Sequence, residues 1–465
     1  MKKILLLLCL PFIGLAQQTY VPDDNFELEL ISLGYDVLLD DSVLTANIDT
    51  VTLLLIPASS ISDLTGIEDF AALTGLGCSG NQLTSLDVSA NINLEGLWCS
   101  DNQLTSLDVS NNTDLTDLQC SFNQITTLDV SANTNLIELW CSSNQLTSLD
   151  VSNNTDLTHL DCFDNQFTSL DLSTNTVLSR LSCSLNSLSL LDVSENIFLT
   201  DLNCSWNQLT SLDLSTNIAL TILWCQENQL TSLDLSTNIA LTHLDCFENQ
   251  LTSLDLSTNT ALNDLNCQKN QLISLDVSTN TALTDLDCQE NQLTSLDVST
   301  NTVLIHLYCS INQLTSLDVS TNTVLIHLYC LSNQLTSLDV STNTALIQLW
   351  CQSNQLTSID VRNTNNQNMT YFKSQYNSSL TCINVDDSSW STNNWIIPLS
   401  GYFNFDVQHY FSNNCNGSTA IEEHSTNKEL LKVIDLLGRE TPYKKRTPLF
   451  YIYDDGTVEK RIVIE

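Results

Sequence analysis

The chain has 465 residues, of which 54 are acidic and 14 are basic, and its formal net charge is −40 at pH 7. A surface this acidic repels phosphate groups, so the composition argues against nucleic acids and anionic membranes as partners. Beyond residue 16, no apolar stretch reaches the ~20 residues that a membrane-spanning helix needs.

Residues 1–16 have the composition of a secretory signal peptide. Lys2 and Lys3 precede a run of apolar residues, which ends at the small residues Gly14 and Ala16. We expect cleavage after Ala16 and export of the rest of the chain. Cys9 follows leucines rather than the small residue of a lipoprotein signal, so we expect no lipid anchor there.

Residues 17–72 are expected to cap the N-terminal end of the repeats that follow. Aspartates precede the apolar segment NFELELIS and Gly34 follows it, which is typical of a short helix. The segment Val51–Phe70 has the spacing of a degenerate repeat. A cap is needed because an open sheet edge recruits further strands.

Residues 73–366 consist of a repeat with a period of 21 residues, marked by 14 cysteines. These are Cys78, Cys99, Cys120, Cys141, Cys162, Cys183, Cys204, Cys225, Cys246, Cys267, Cys288, Cys309, Cys330 and Cys351. Repeats of this kind stack because one alone cannot bury its apolar face. Each has two halves that alternate apolar and polar residues, as in LTHLDCFENQL and TSLDLSTNTA from Leu241 to Ala261. Alternation predicts strands with one buried face, and Asn, Ser and Thr are expected to supply the turns.

The recurring pattern LxxLxCxxNxL resembles that of leucine-rich repeats. The 21-residue form, with its second half LDLxxN, is similar to the bacterial class called IRREKO repeats. The resemblance implies a mostly β solenoid of about 14 repeats with a parallel sheet on one side. Because both halves are expected to be strands, with the same spacing of about 4.8 Å, we predict strands on both sides and weak curvature.

The constant Cys and Asn residues of the repeat are expected to be structural. Cysteines on adjacent turns would lie about 4.8 Å apart, whereas a disulfide needs Cβ atoms about 3.8 Å apart. We therefore expect free, buried thiols, with a metal ribbon or a redox relay as the alternatives. The row that starts at Asn81 is expected to be buried and bonded to the backbone of adjacent turns, with catalytic asparagine as the alternative.

The positions that vary between repeats flank the central Leu of the cysteine-containing half. Their side chains are expected to point away from the core and to form one exposed stripe. The aromatic members of this stripe are Trp98, Trp140, Trp224, Tyr308, Tyr329 and Trp350. Together with His306 and His327 they form the predicted ligand-binding face, which suits sugar rings or a protein strand. The alternative is that large side chains on adjacent strands simply stabilise one another.

The sequence predicts neither catalytic residues nor a cofactor. His306 and His327 could contribute to a metal site, but no third ligand is evident, so none is assigned. The row of aspartates from Asp87 to Asp360 could bind calcium, although it lacks the Gly and Glu of a calcium-binding loop. Hydrogen bonds from nearby backbone amides to these carboxylates explain the row equally well. The regular Ser and Thr rows leave an ice-binding face as a further alternative. HExxH, P-loop and GxSxG motifs are absent, so we expect a binding protein and no enzyme.

Residues 367–417 are expected to form a C-terminal cap. Cys382 and Cys415 lie outside the 21-residue period and share this segment. In an oxidising compartment, we expect them to form a disulfide.

Residues 418–465 carry eight of the chain's 14 basic residues and follow a different pattern, with a hairpin turn predicted at Asp454-Asp455-Gly456. The segments LLKVIDLLGRE and FYIYDDGTVEKRIVIE resemble the C-terminal sorting domain of type IX secretion substrates from Bacteroidetes, including Flavobacteria-like organisms. The resemblance implies contact with the type IX secretion machinery, passage through the outer membrane and removal of the segment. A plain β-hairpin cap is the alternative.

These features predict a secreted or outer cell-surface protein that binds or adheres to a protein or glycan through its aromatic-rich face. The alternative is a structural surface or matrix protein, stabilised by calcium and without a specific ligand.

Overall fold

The computed structural model describes residues 17–395, 402–415, 430–435, 439–441, 449–453 and 458–461. The predicted signal peptide and the predicted turn at residues 454–456 lie outside these residues. The chain divides into two units, Met1–Asn413 and Asn414–Glu465. Within the described ranges, none of the helices has the length and apolar character needed to cross a membrane.

The N-terminal segment contains the predicted capping helix. Its elements are β1 (Gln18–Tyr20), α1 (Asp24–Ser32), β2 (Ser42–Leu44) and α2 (Thr45–Ile48). Helix α1 begins after Asp23, whose Oδ1 accepts hydrogen bonds of 3.0 Å from the amides of Asn25 and Phe26. Phe26 and Leu30 are fully buried, so α1 covers the first turn of the repeat core.

The main sheet contains 17 parallel strands, one from each turn of the solenoid. They are β3 (Leu53–Leu55), β4 (Gly75–Gly77), β5 (Gly96–Trp98), β6 (Asp117–Gln119), β7 (Glu138–Trp140), β8 (His159–Asp161), β9 (Arg180–Ser182), β10 (Asp201–Asn203), β11 (Ile222–Trp224), β12 (His243–Asp245), β13 (Asp264–Asn266), β14 (Asp285–Asp287), β15 (His306–Tyr308), β16 (His327–Tyr329), β18 (Gln348–Trp350), β20 (Tyr371–Lys373) and β22 (Phe403–Asn404). Each pairs in register with the next, from β3 at one edge to β22 at the other. The predicted mostly β leucine-rich-repeat solenoid is therefore confirmed.

The solenoid is longer than its 14 regular repeats. Strand β3 precedes them, and β20 and β22 follow after spacings of 23 and 31 residues between paired positions instead of 21. Phe372 is fully buried at the centre of β20 and pairs with Leu349. An aromatic residue thus takes the place of the repeat's core leucine, which is why the count of regular repeats missed this turn.

The other side of the solenoid has regular strands only near its C-terminal end, within the described residues. They are β17 (Ser337–Asp339), β19 (Ser358–Asp360), β21 (Cys382–Asn384) and β23 (Tyr410–Ser412). Elsewhere on this side, an isolated bridge joins Asp87 to Asp108. The expected strands on this side are thus realised at one end of the repeats rather than along their length.

The cysteines form a continuous row inside the core. All 14 are free thiols, as predicted, and each is fully buried. Burial raises their pKa, for Cys78 and Cys204 to about 12, because the thiolate would lose its solvation. These groups therefore act as small apolar side chains and not as reactive thiols.

Two rows of buried asparagine hold adjacent turns together. In the first row, Asn270 Oδ1 accepts from the amide of Leu251 at 2.9 Å, and its Nδ2 donates to the carbonyls of Cys246 and Cys267. In the second row, Asn280 Nδ2 donates to the carbonyls of Leu256 and Asn259, at 3.1 and 2.8 Å. These bonds satisfy backbone groups at the turns, as predicted for the first row.

The residue before each asparagine of the first row adopts the left-handed conformation. Its φ lies near +50°, for example +55° at Asp101, +54° at Phe122 and +54° at Ile311. Asparagine was expected to supply the turns, but here the left-handed residue is the variable one beside it. The asparagine is needed for its hydrogen bonds instead.

The C-terminal cap is built around aromatic side chains. Helix α3 (Ser388–Asn394) ends beside Trp395, which is 1% exposed and packs edge-on against Phe372 at 5.4 Å between ring centroids. The predicted disulfide between Cys382 and Cys415 is present. Short 3₁₀ turns at Ile67–Asp69 and Asn366–Asn368 complete the helical elements.

The second unit contains a three-stranded antiparallel sheet. Its strands are β24 (Leu430–Ile434), β25 (Leu449–Tyr453) and β26 (Val458–Arg461), with β25 in the centre. Strands β25 and β26 pair antiparallel across the predicted hairpin position.

Candidate functional site

We use the term ladder face for the side chains at the first and third positions of strands β4–β16 and β18. The middle residue of each strand is a buried leucine, so the flanking side chains project from the opposite side of the sheet. The structure places all eight predicted binding residues on this face. It does not bring them together, because they lie in three separate groups along the sheet.

Trp98 forms the first group and lies flat against the sheet. A Cβ atom added at Gly96 would lie 2.7 Å from Trp98 Cζ2, and one added at Gly75 would lie 3.4 Å from Cζ3. The indole therefore fills the space that side chains on β4 and β5 would take. Its Nε1 donates to Asp117 at 2.6 Å, which fixes the ring.

Tyr308, Tyr329 and Trp350 form a continuous stack on consecutive strands. The ring centroids are 4.8 Å apart between the tyrosines and 4.3 Å between Tyr329 and Trp350, close to the strand spacing. The ammonium group of Lys373 lies 4.2 Å from the Trp350 ring centroid and extends the stack by a cation–π contact. The rings of Tyr329 and Trp350 are nearly parallel, at 11°, and cover one face of each other, whereas the rings of Tyr308 and Tyr329 are tilted by 45°.

His306 and His327 belong to the same group and also stack, at 4.7 Å between centroids. His306 Nδ1 bonds to Asp285 Oδ1 at 2.5 Å, and His327 Nδ1 lies 3.3 Å from the hydroxyl of Tyr308. Burial and the neighbouring His306 lower the pKa of His327, which favours its neutral form. Across the described ranges, no cluster of three or more His, Cys, Asp or Glu residues is arranged to hold a metal ion.

The third group consists of Trp140 and Trp224, which form the two ends of a cleft across strands β7–β11. The cleft has a volume of about 280 Å3. Its other polar lining residues are His159, Asp161, Arg180, Ser182, Asp201 and Asn203. We call this site the tryptophan cleft.

The tryptophans of this cleft are the most exposed aromatics on the ladder face. Trp140 is 39% exposed and Trp224 is 36% exposed, and no ring of the described residues stacks on either. Asp161, Ser182 and Asn203 lie between them on consecutive strands. Short side chains between two large ones create the depression.

Several carboxylates of the ladder face lie next to the tryptophan cleft. Burial, together with the charges of Asp264 and Asp287, raises the pKa of Asp245 to about 6. Burial also raises the pKa values of Asp264 and Asp287. The carboxylates of Asp264 and Asp287, on β13 and β14, thus disfavour the ionisation of Asp245 on β12.

A larger cavity of about 680 Å3 lies in the C-terminal cap, lined by Arg362, Asp386 and Trp390 among others. Arg362 is already engaged there, because its guanidinium bonds Asp360 at 2.5 Å and the carbonyl of Asn413 at 3.2 Å. The cavity is formed by loops of the cap and is separate from the ladder face.

The two tryptophans of the cleft were predicted from the sequence as binding residues, but the polar residues between them were not. Arg180 and Asp201 form an ion pair there, with 3.6 Å between Nε and Oδ2. The signal that could have found them is the row Trp140, Asp161, Ser182, Asn203, Trp224 at 21-residue intervals, in which two large residues enclose three small ones.

Comparisons with known proteins place this architecture among bacterial leucine-rich-repeat proteins. The structure of the functional domain of internalin J from Listeria monocytogenes, which includes a cysteine ladder, superposes with a TM-score of 0.72. The two sequences are 34% identical, and the match covers 95% of this chain and 97% of that domain. A leucine-rich-repeat protein of Leptospira interrogans, 22% identical, has the same fold, with a TM-score of 0.67 over 78% of this chain and 97% of that protein.

The full-length relative is much larger than the matching region. Internalin J of L. monocytogenes serotype 4b (strain F2365) is 42% identical over 72 residues, which represent 16% of this chain and 8% of internalin J. No protein-family model matches the chain. The match to the internalin J domain nevertheless covers nearly all of this chain, and both proteins contain a row of cysteines. On that basis the chain belongs to the leucine-rich-repeat proteins related to the Listeria internalins.

Proposed function

We propose that this protein is a secreted or cell-surface binding protein that recognises a protein or glycan through its ladder face. The observation that carries the proposal is the concentration of variable aromatic and charged residues on one face of a constant scaffold. The leucines, cysteines and asparagines repeat from turn to turn, whereas the ladder face changes at almost every strand. A surface that varies on an otherwise fixed fold is typical of recognition.

The family supports this proposal without naming a ligand. The relatives among the internalins suggest a surface or secreted binding protein rather than an enzyme. We therefore propose no catalytic role for the ladder face.

Export by the type IX pathway is a further part of the proposal. Residues 418–465 resemble a sorting domain in sequence, and the described strands β24–β26 form an antiparallel sheet in a separate unit. Deletion of residues 418–465 in the native host should retain the protein inside the cell envelope. Immunodetection in culture supernatant and on intact cells would check this, and unchanged export would exclude a sorting role.

Binding by the ladder face can be tested with the purified mature protein on arrays of oligosaccharides and of extracellular proteins. Each partner found is retested with the double variant Trp140→Ala/Trp224→Ala and with the triple variant Tyr308→Ala/Tyr329→Ala/Trp350→Ala. The matched control is Trp206→Ala, because Trp206 is 48% exposed but lies at a turn outside the ladder face. Partners that bind all four proteins equally would contradict the proposal.

A structural surface or matrix role is the second candidate, and one observation favours it. The row of aspartates opposite the ladder face runs through every regular repeat, with solvent-exposed carboxylates of lowered pKa such as Asp255 and Asp276. A row of ionised carboxylates at strand spacing would be stabilised by calcium. Thermal melting with calcium and with a chelator tests this role, and an unchanged midpoint would remove it.

A further inference from the structure

We propose that the tryptophan cleft binds a neutral oligosaccharide. This inference rests on the proposed function, since it requires the ladder face to be a binding surface, and it adds the class of ligand and its position. It follows from the walls, the floor and the charge of the cleft.

The walls are two partly exposed indoles on which no other ring of the described residues stacks. Trp98 lies against the glycines of β4 and β5, and Tyr308, Tyr329 and Trp350 each contact a neighbouring ring. Trp140 and Trp224 have no such ring partner among the described residues, although both are large apolar groups exposed to solvent. An open aromatic face is a suitable surface for the C–H groups on one side of a sugar ring.

The distance between the walls favours a chain over a single sugar. Trp140 and Trp224 occupy the same row and are separated by four strand steps, roughly 19 Å at about 4.8 Å per step. One pyranose cannot touch both indoles at this separation. An oligosaccharide that lies across the strands can contact both.

The floor supplies hydrogen-bonding groups that are held in place. Asp161 Oδ1 accepts from the hydroxyl of Ser142 at 2.7 Å, and Asn203 Oδ1 accepts from the hydroxyl of Ser205 at 2.7 Å. These bonds orient both side chains. The second carboxylate oxygen of Asp161 and the amide NH2 of Asn203 have no hydrogen-bond partner among the described residues. An acceptor and a donor with fixed positions match the alternating donors and acceptors of sugar hydroxyls.

The charge of the cleft favours a neutral ligand. Arg180 is the only basic side chain on the ladder face apart from histidine, and it is already paired with Asp201 at 3.6 Å. Asp161 lies in the same cleft, and the chain carries a net charge of −40. An anionic ligand would therefore meet repulsion at long range and competition from Asp201 at the guanidinium.

The test uses the mature full-length protein and fluorescently labelled oligomers of chitin, cellulose and starch, with sialyllactose as the anionic probe. We expect at least one neutral oligomer to bind and its monosaccharide to bind much more weakly. Trp140→Ala and Trp224→Ala should each weaken binding about tenfold or more, as expected for an aromatic at the centre of an interface. Trp206→Ala, in which a more exposed tryptophan outside the cleft is lost, should bind like the wild type.

A second variant separates loss of contact from loss of folding. Ser182→Trp places a large side chain in the middle of the floor and leaves both walls intact, so it should also abolish binding. Each variant is compared with the wild type only if its melting temperature lies within a few degrees of the wild-type value, so that a loss of binding does not reflect a loss of folding.

Each outcome decides the proposal. Neutral-oligomer binding that both wall variants and Ser182→Trp lose supports it. Absence of glycan binding, binding of sialyllactose alone, or neutral-oligomer binding unaffected by these variants would overturn it. A protein partner that is lost on ladder-face substitution, with no glycan bound, would overturn the glycan inference while supporting the proposed function.

Discussion

The pKa values of carboxylates shift in opposite directions on the ladder face and on the side that carries the regular row of aspartates, which we call the constant side. On the constant side, Asp276 Oδ1 accepts from the amide of Ser278 at 2.9 Å, and the same bond recurs in nearly every repeat. Hydrogen bonds to Ser278 lower the pKa of Asp276. On the ladder face, burial raises the pKa of Asp245 to about 6.

The difference shows which residues the fold needs. A carboxylate whose pKa is lower in the folded state than in the unfolded state stabilises the fold when it is ionised. This contribution to stability is present above the unfolded-state pKa and is lost as the pH falls through the folded-state pKa. A carboxylate whose pKa is raised opposes folding once it ionises. The constant side therefore uses its aspartates to hold turns, whereas the ladder face carries aspartates that the fold alone does not explain. Retained unfavourable groups of this kind are typical of functional surfaces.

The largest expected effect lies in the scaffold, where the two asparagine rows can be compared directly. Asn270→Ala leaves the amide of Leu251 without its partner and removes one of the two asparagine donors from each of the carbonyls of Cys246 and Cys267, so it should lower the free energy of unfolding by about 3 kcal/mol. Asn280→Ala removes partners from carbonyls only, while Asn280 Oδ1 has no protein partner to lose, so the expected cost is about 2 kcal/mol. Urea unfolding of both variants measures the difference. Equal losses would show that the amide contact of the first row is not decisive.

An intermediate effect is expected when the unfavourable carboxylate of the ladder face is neutralised. The folded-state pKa of Asp245, about 6, lies above the ordinary value of 3.8, so this group reduces stability progressively as pH rises from about 4 to about 6. Asp245→Asn should therefore stabilise the protein at pH 7 by about 1 kcal/mol, after allowance for partial exposure, and should give no gain at pH 4.

The matched control for Asp245→Asn is Asp276→Asn on the constant side. Because the pKa of Asp276 is lowered, its neutralisation should give no stabilisation at pH 7. Thermal melting of both variants between pH 4 and pH 8 makes the comparison. A gain from Asp276→Asn equal to that from Asp245→Asn would mean that reduced net charge, and not the local environment, is responsible.

The sequence allowed the fold to be predicted because its period determines the neighbours of every residue. Residues 21 apart pair on adjacent strands, and alternation assigns the leucines to the core and the ladder residues to the exposed face. Strands β20 and β22 were not predicted, because the spacing of paired residues changes there to 23 and 31 and phenylalanine replaces leucine.

The site could be predicted as a face but not as a cleft. That Tyr329 neighbours both Tyr308 and Trp350 follows from the period, but whether the rings cover each other depends on side-chain torsions that the sequence does not specify. Likewise, Trp140 and Trp224 enclose a cleft because the residues between them in the row are small. This depression is evident only when all five strands, β7–β11, are considered together.

The smallest expected effect concerns the left-handed turn position before each asparagine of the first row, where the backbone conformation is constant but the residue type varies. Ile311 adopts φ of +54°, a conformation that costs a β-branched residue about 1–2 kcal/mol relative to a right-handed one. Its side chain is 47% exposed and its amide donates to the carbonyl of Leu331 at 2.9 Å, a bond that any residue except proline can make. Ile311→Asn should therefore raise the free energy of unfolding by up to about 1 kcal/mol, since asparagine tolerates this conformation.

Val324→Asn is the control, because Val324 is also β-branched and 44% exposed but does not have a positive φ. If both variants raised the urea midpoint equally, the gain would come from the added polar side chain, and the positive φ of Ile311 would not be a source of backbone strain.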